Sequence, residues 1–169
     1  KGEWGTIEGT FTIDPTAKDG AFATLEEPRI FIETSWTADQ DPDRDLMDFY
    51  VDDVSVIDES VPEVILNNDT ENGLSSWSAH DAATVSVSDA VYNSKTSSVF
   101  VTGRTATGDG VQQFVTGKVA PGRTYKVSAK VKYDAETAPD TRRFFMSFQD
   151  GDWSTIVNMV GAEIRKGEW

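Results

Sequence analysis

Hydrophobic and polar residues alternate along most of the chain, as in strands that bury one face. In segment 29–34, for example, Ile30 and Ile32 share one face, and Phe31 and Glu33 share the opposite face. The same pattern predicts strands in nine segments, 6–13, 29–34, 48–56, 83–87, 97–101, 110–115, 124–131, 143–149 and 156–164, the last interrupted by Gly161.

These segments are rich in Val, Ile, Thr, Phe and Tyr, which suit a pleated surface. Turn pairs such as Pro121-Gly122, Asp109-Gly110 and Asp150-Gly151 separate them, and helix signals are nearly absent. Many short strands at this spacing are typical of two packed sheets. The pattern therefore predicts an all-β chain, a sandwich or jelly roll of two antiparallel sheets.

An acidic, proline-containing segment at 59–64 divides the chain into residues 1–58 and 65–169. Neither part has enough strands to close a sandwich, because each would expose sheet edges and half of a core. We therefore expect the two parts to form one module together. If the chain cannot fold back on itself, two chains should exchange halves and form a domain-swapped homodimer.

Composition narrows the possible partners and chemistries. The formal net charge of −14 makes a nucleic acid an unsuitable partner, because phosphate groups are repelled. No apolar run is long enough to span a membrane. With one histidine, no cysteine and no Gly-x-Ser-x-Gly or His-Glu-x-x-His motif, the usual nucleophile–base arrangements are missing.

Acidic residues are concentrated in segment 39–45, which reads Asp-Gln-Asp-Pro-Asp-Arg-Asp. A solvated loop explains such a run most simply. The alternative is a loop at the rim of a binding face or around a cation.

Several motifs, taken together, resemble family 22 carbohydrate-binding modules, which accompany xylanases. They are Val101-Thr102-Gly103-Arg104-Thr105, segment 121–129, segment 45–54, and Lys166-Gly167-Glu168-Trp169, which repeats Lys1-Gly2-Glu3-Trp4. The resemblance covers nearly the whole chain in rotated order, with the family's start near Ile65. The chain is thus similar to a circular permutant, or to a fragment spanning two tandem modules.

The resemblance implies a β-jelly roll, secretion from a bacterium, and a cleft for xylan, xylo-oligosaccharides or mixed-linkage β-glucan. Glu33 stands where the family has a sugar-binding glutamate, and Phe31 where it has a tyrosine. His80 stands where the family has an arginine, although a surface polar role is the simpler reading. Trp153 and Trp36 are further candidate stacking platforms, because each lies beside a predicted turn or loop.

The resemblance also implies a structural calcium ion. It assigns Glu71 and Asp53 as side-chain ligands, and the backbone near Asp69 and Lys95 as further oxygen donors. A plain turn with an Asx cap is the alternative for segment 67–73.

Two other functions stay open at this point. A jelly-roll glycoside hydrolase would need two carboxylates across a cleft, for which Glu33 and Asp48 are the candidates. A spacer or adhesion module would bind no glycan. The family's binding tryptophan is absent from loop 103–108 and its tyrosine from position 156, which leaves the ligand and its affinity open. We expect a non-catalytic module that brings an appended xylanase to its polysaccharide.

Overall fold

Strands of alternating residues build two antiparallel sheets in the computed structural model, which describes residues 3–58, 60 and 62–167. The strands within these ranges are β1 Gly5–Thr12, β2 Pro28–Thr34, β3 Phe49–Ile57, β4 Ser78–His80, β5 Thr84–Ser88, β6 Ser98–Thr102, β7 Gly110–Phe114, β8 Thr124–Lys132, β9 Thr141–Asp150 and β10 Val157–Arg165. Within the same ranges, helical structure is limited to a turn, Ala17–Gly20, and two 3₁₀ turns, Ala21–Ala23 and Trp153–Thr155. The expectation of an all-β sandwich of two antiparallel sheets is confirmed.

Each sheet has five strands. The first sheet has the order β1-β8-β3-β6-β5, and the second has the order β10-β9-β2-β7-β4. Inward-facing residues of both sheets form one continuous core, which includes Phe49 and Val51 from the first sheet and Ile32, Phe144 and Met146 from the second.

Strands from the two ends of the chain alternate within each sheet. β3 lies between β6 and β8, and β2 lies between β7 and β9. The first 58 residues thus supply interior strands, and the sandwich is complete within one chain. An exchange of halves between two chains is not required to close it, and the swapped dimer stays a prediction.

Nine of the ten strands lie where the alternation predicts them, within two residues at each end. The exception is β4, whose three residues are too few to show a period. Of the two copies of the repeated tetrapeptide, the structure describes Glu3, Trp4, Lys166 and Gly167. The other four residues, Lys1, Gly2, Glu168 and Trp169, lie outside the described residues. Within the described ranges, no helix has the length and hydrophobicity needed to cross a bilayer.

Close contact between β2 and β7 depends on Gly110. A Cβ atom at this position would lie 1.9 Å from the Ile32 carbonyl oxygen, whereas one at Gly108 would approach nothing closer than Glu33 Oε2 at 3.6 Å. Gly110→Ala should therefore force the two strands apart and lower the free energy of unfolding by about 3 kcal/mol, at the upper end of overpacking costs. Urea denaturation measures this, with Gly108→Ala as the matched control. Equal stability of the two variants would contradict this packing.

Candidate functional site: the polar face of the second sheet

The second sheet has a polar outer face. Since Ile30, Ile32, Phe144, Met146 and Phe148 point into the core, their neighbours in β2 and β9 point outwards. Strand register places the outward residues in rows across the sheet. One row reads Ser78, Gln112, Phe31, Ser147 and Asn158, and we call this surface, with Glu33, His80 and Gln149, the polar face.

Glu33 is the ionisable centre of the polar face. It is 9% exposed, and its Oε1 accepts a hydrogen bond of 2.5 Å from the Ser147 hydroxyl. Burial raises the pKa of Glu33 to about 7, against the opposing effects of the Ser147 hydrogen bond and the Arg104 charge. Around neutral pH, the side chain can therefore act either as a hydrogen-bond donor or as a charged acceptor.

Phe31 and His80 form a stacked pair. Their ring centroids are 3.8 Å apart and their planes differ by 7°. Both side chains are buried, with exposures of 0% for Phe31 and 2% for His80. The simple reading of His80 as a surface residue is wrong, because the unrecognised strand β4 carries it onto the polar face. Phe31 lies on the expected face, but no part of its ring is open to solvent.

Amides and a hydroxyl complete the polar face, and sequence reasoning missed them. Gln149 Oε1 lies 3.0 Å from His80 Nε2, and Gln112 donates through Nε2 to the Ala79 carbonyl at 2.9 Å. Ser147 contacts both Glu33 and Asn158. The available signal was a polar residue at Gln112 in β7 and at Ser147 and Gln149 in β9, but only strand register shows that these residues meet beside β2.

Two tryptophans are exposed at opposite ends of β2. Trp153 is 81% exposed and lies near the start of β2, because it follows Asp150, the strand partner of Pro28. Trp36 is 75% exposed and lies two residues beyond the end of β2. Asp152 caps the Trp153 turn by accepting from the Ser154 N–H at 2.8 Å. The prediction that both could serve as exposed platforms agrees with this placement.

The loop that carries Trp36 is fixed by a buried carboxylate. Asp45 has no exposed surface, and it pairs with Arg142 at 3.1 Å and with Arg44 at 2.8 Å. The hydrogen bond from Arg44 is the main reason that the pKa of Asp45 is lowered to about 2. The acidic segment 39–45 is therefore more than a solvated loop, because its last residue anchors it to the body of the sandwich.

Arg104 joins this loop to the next one. Its buried guanidinium donates to the carbonyls of Asp45, Met47, Thr107 and Asp109, and to the Thr34 hydroxyl. Burial lowers the pKa of Arg104 to about 10. One cation thus holds the loops at this end of the polar face in a single arrangement.

The four residues expected at a calcium ion meet around loop 93–97. Asp53 accepts from the Asn93 amide and the Ser94 hydroxyl, Glu71 accepts from the Thr96 N–H at 2.9 Å, and the Lys95 ammonium group pairs with Asp69. Asp69 also accepts a hydrogen bond of 3.4 Å from the Glu71 N–H, as in the Asx turn that is the alternative to a calcium site.

The oxygens around loop 93–97 suit calcium in kind, but their present arrangement does not fit the ion. The Lys95 ammonium group supplies the positive charge, and Asp69, Glu71 and Asp53 together raise its pKa. Within residues 3–58, 60 and 62–167, no group of three or more His, Cys, Asp or Glu side chains could hold a metal ion. Calcium stays a prediction, and it requires the lysine to leave Asp69.

A separate cavity of about 440 Å³ lies beside the linker, between segments 62–66 and 117–125. It shares no lining residue with the polar face. Its wall combines apolar groups such as Val64 and Val119 with Glu63, Lys118 and Arg123, and within the described part of the chain it has no exposed tryptophan beside it.

Family comparison agrees with this geometry. The family model described as "Carbohydrate binding domain" matches residues 62–169, which is more than half of the chain. The chain belongs to this carbohydrate-binding domain family. Its polar face, with buried carboxylate and amide groups between exposed tryptophans, has the kind of groups that recognise sugars.

Curated relatives of this carbohydrate-binding domain carry the names of xylanases. Endo-1,4-beta-xylanase A of Thermoanaerobacterium saccharolyticum is 32% identical over 171 residues, covering 98% of this chain and 14% of that protein. Endo-1,4-beta-xylanase 2 of Arabidopsis thaliana is 30% identical over 139 residues, covering 76% and 12%, respectively. The domain therefore spans about one-seventh of the length of such relatives. No solved structure matches the chain.

Glu33 should make stability depend on pH. Its pKa is about 7 in the folded state and 4.5 when unperturbed, so between these values only the unfolded chain releases the proton. The free energy of unfolding should therefore fall as pH rises through this window, by on the order of 3 kcal/mol in total. Glu33→Gln should remove this part of the slope in urea titrations from pH 4 to 9.

Asp52 also contributes to the pH dependence of stability, because burial raises its pKa to about 6. Its contribution must be distinguished from that of Glu33. The quantity to compare is thus the difference between Glu33→Gln and the unchanged protein at each pH. A constant difference across the window would show that Glu33 titrates normally.

Calcium binding should raise the melting temperature, because an ion at loop 93–97 would tie segment 67–73 to Asp53 in the middle of β3. Scanning calorimetry with excess calcium or excess chelator measures this shift. Glu71→Gln should abolish it, since that substitution removes one charged oxygen. Identical melting temperatures in both buffers would show that calcium does not replace the Lys95 ammonium group at this loop.

Proposed function

We propose that this domain binds a β-1,4-linked plant polysaccharide such as xylan, without cleaving it, and so holds an appended xylanase on its substrate. The polar face carries this proposal, because a buried carboxylate and several amides lie on one sheet between two exposed tryptophans. Mixed-linkage β-glucan has similar chemistry and is the alternative ligand.

The arrangement matches the surface of a sugar chain. A pyranose ring presents C–H groups that pack on an aromatic face, and its hydroxyls need paired donors and acceptors. Glu33, Ser147 and Gln149 supply such groups. β2 has seven residues, so about 20 Å separates its ends, where Trp36 and Trp153 lie. This length would accommodate several linked sugar rings.

The names of the relatives support the ligand class, since both are endo-1,4-beta-xylanases. A non-catalytic role is supported by the placement of the two candidate carboxylates. Glu33 belongs to the second sheet, whereas Asp48 immediately precedes β3 of the first sheet and accepts a bond from the Gly103 backbone. Hydrolysis would need two carboxylates facing one sugar linkage.

The rotated order of the motifs has an origin consistent with these matches. We propose that residues 1–58 correspond to the end of one family 22 module and residues 65–169 to the start of another. The family match beginning at residue 62 supports the second part, and the collinear match over 98% of the chain supports the order. Secretion would place the domain where such polysaccharides occur.

Trp153→Ala should lower the affinity for soluble xylan about tenfold, which corresponds to about 1.4 kcal/mol. The reason is the loss of an exposed stacking surface. Retardation of the protein in a gel that contains xylan measures this affinity. Leu66→Ala is the matched control, since Leu66 is 51% exposed but lies beside the separate cavity. The unchanged protein should release no reducing sugar from xylan. Equal retardation of both variants would remove Trp153 from the site, and sugar release would overturn the non-catalytic role.

A further inference from the structure

The stacked rings of Phe31 and His80 leave no space for a sugar between them. A separation of 3.8 Å is van der Waals contact, and the planes are nearly parallel. Phe31 has no exposed surface, so it cannot stack on a ligand while the imidazole lies on it. The most central aromatic ring of the polar face is therefore covered by a side chain of the same molecule.

His80 is held in this position from both sides of its ring. Nδ1 lies 2.9 Å from the Gly108 carbonyl oxygen, and Nε2 lies 3.0 Å from Gln149 Oε1. Gln149 is itself fixed, because its Nε2 donates to the Gly151 carbonyl. The imidazole thus bridges loop 103–109 to the far end of β9 and closes over the centre of the sheet.

An unsatisfied acceptor lies next to this pair. Gln112 is the register partner of Phe31 and is 8% exposed. Its Nε2 donates to the Ala79 carbonyl, while its Oε1 is buried without a hydrogen-bond partner among the described residues. A buried, unpaired acceptor destabilises the fold, so its retention calls for a reason. A hydroxyl donor arriving beside Phe31 would supply the missing bond.

We infer that His80 closes a sugar subsite whose base is Phe31 and whose hydrogen-bonding groups are Gln112 Oε1 and Glu33. This inference rests on the proposed function and names the residue that limits it. With His80 in place, a ligand stacks only on the outer platforms, Trp36 and Trp153, and meets the polar groups only where its hydroxyls reach between them. Without the imidazole, one more sugar ring gains an aromatic face, an amide acceptor and the Glu33 carboxyl group. His80 is therefore a specificity-determining residue, and its size sets how deeply a chain enters.

Removing the imidazole while keeping the fold tests this inference. His80→Ala should bind xylohexaose about fivefold more tightly than the unchanged protein in isothermal titration, the gain expected from one added aromatic contact. His80→Phe is the matched control, since a phenyl ring refills the space over Phe31 and should bring no such gain. His80→Asn, which is smaller than imidazole and keeps a donor for Gly108, gives the same test if the alanine variant does not fold.

A second substitution identifies the acceptor. Adding Gln112→Leu to His80→Ala should cancel most of the gain, and a gain that survives the added substitution would remove Gln112 from the subsite. If the unchanged protein binds xylohexaose and the folded alanine or asparagine variant binds no more tightly, the closed subsite is wrong and the proposed function stands. If none of the proteins binds xylohexaose, cellohexaose or mixed-linkage glucan, both are overturned. An equal gain with His80→Phe would also overturn the subsite.

Discussion

The structure depends on the burial of apolar surface between its two sheets. Neither sheet can be assembled from one part of the chain alone. β2 and β3 come from the first 58 residues, yet each lies in the interior of a sheet between strands from beyond residue 65. Removing either would expose two sheet edges and divide the core in which Ile32, Phe49 and Phe144 meet. Folding of the two parts must therefore be coupled, and the linker at 59–64 connects pieces of one cooperative unit.

Because successive side chains of a strand point to opposite sides of the sheet, the burial of the apolar residues also determines which residues form the polar face. Because Ile30 and Ile32 must enter the core, Phe31 and Glu33 must face outwards, and the neighbouring strands β7 and β9 follow the same rule. A shift of one residue in β2 would bury a carboxylate in the core and expose two isoleucines. The position of Glu33 is thus protected by the energetics of the core, and a raised pKa is the cost of placing a carboxylate on such an enclosed surface.

Sequence reasoning predicted the fold well because its signals are local. Nine strands could be placed from alternation, and the exposed Trp153 could be placed from its turn. The contacts within the site depend instead on which strands are neighbours. The partners of His80 are 28 and 69 residues away in the chain, at Gly108 and Gln149, and β4 is too short to be recognised. Likewise, the ion pair between Asp45 and Arg142 joins residues that no periodicity relates.

The burial of the polar face leaves the aromatic residues at its two ends exposed and the one at its centre covered. Glu33, Gln112 and Gln149 are each less than 10% exposed, and the Phe31 ring is covered by His80. A ligand that met this surface without displacing anything would therefore touch the exposed tryptophans first, and the buried amides and carboxylate only where its hydroxyls reached between them. Arg104 and Asp45 hold the Trp36 loop, and Asp152 caps the Trp153 turn, so both platforms are ordered before binding. Since ordering a loop during binding costs free energy, fixed platforms allow useful affinity from few direct contacts.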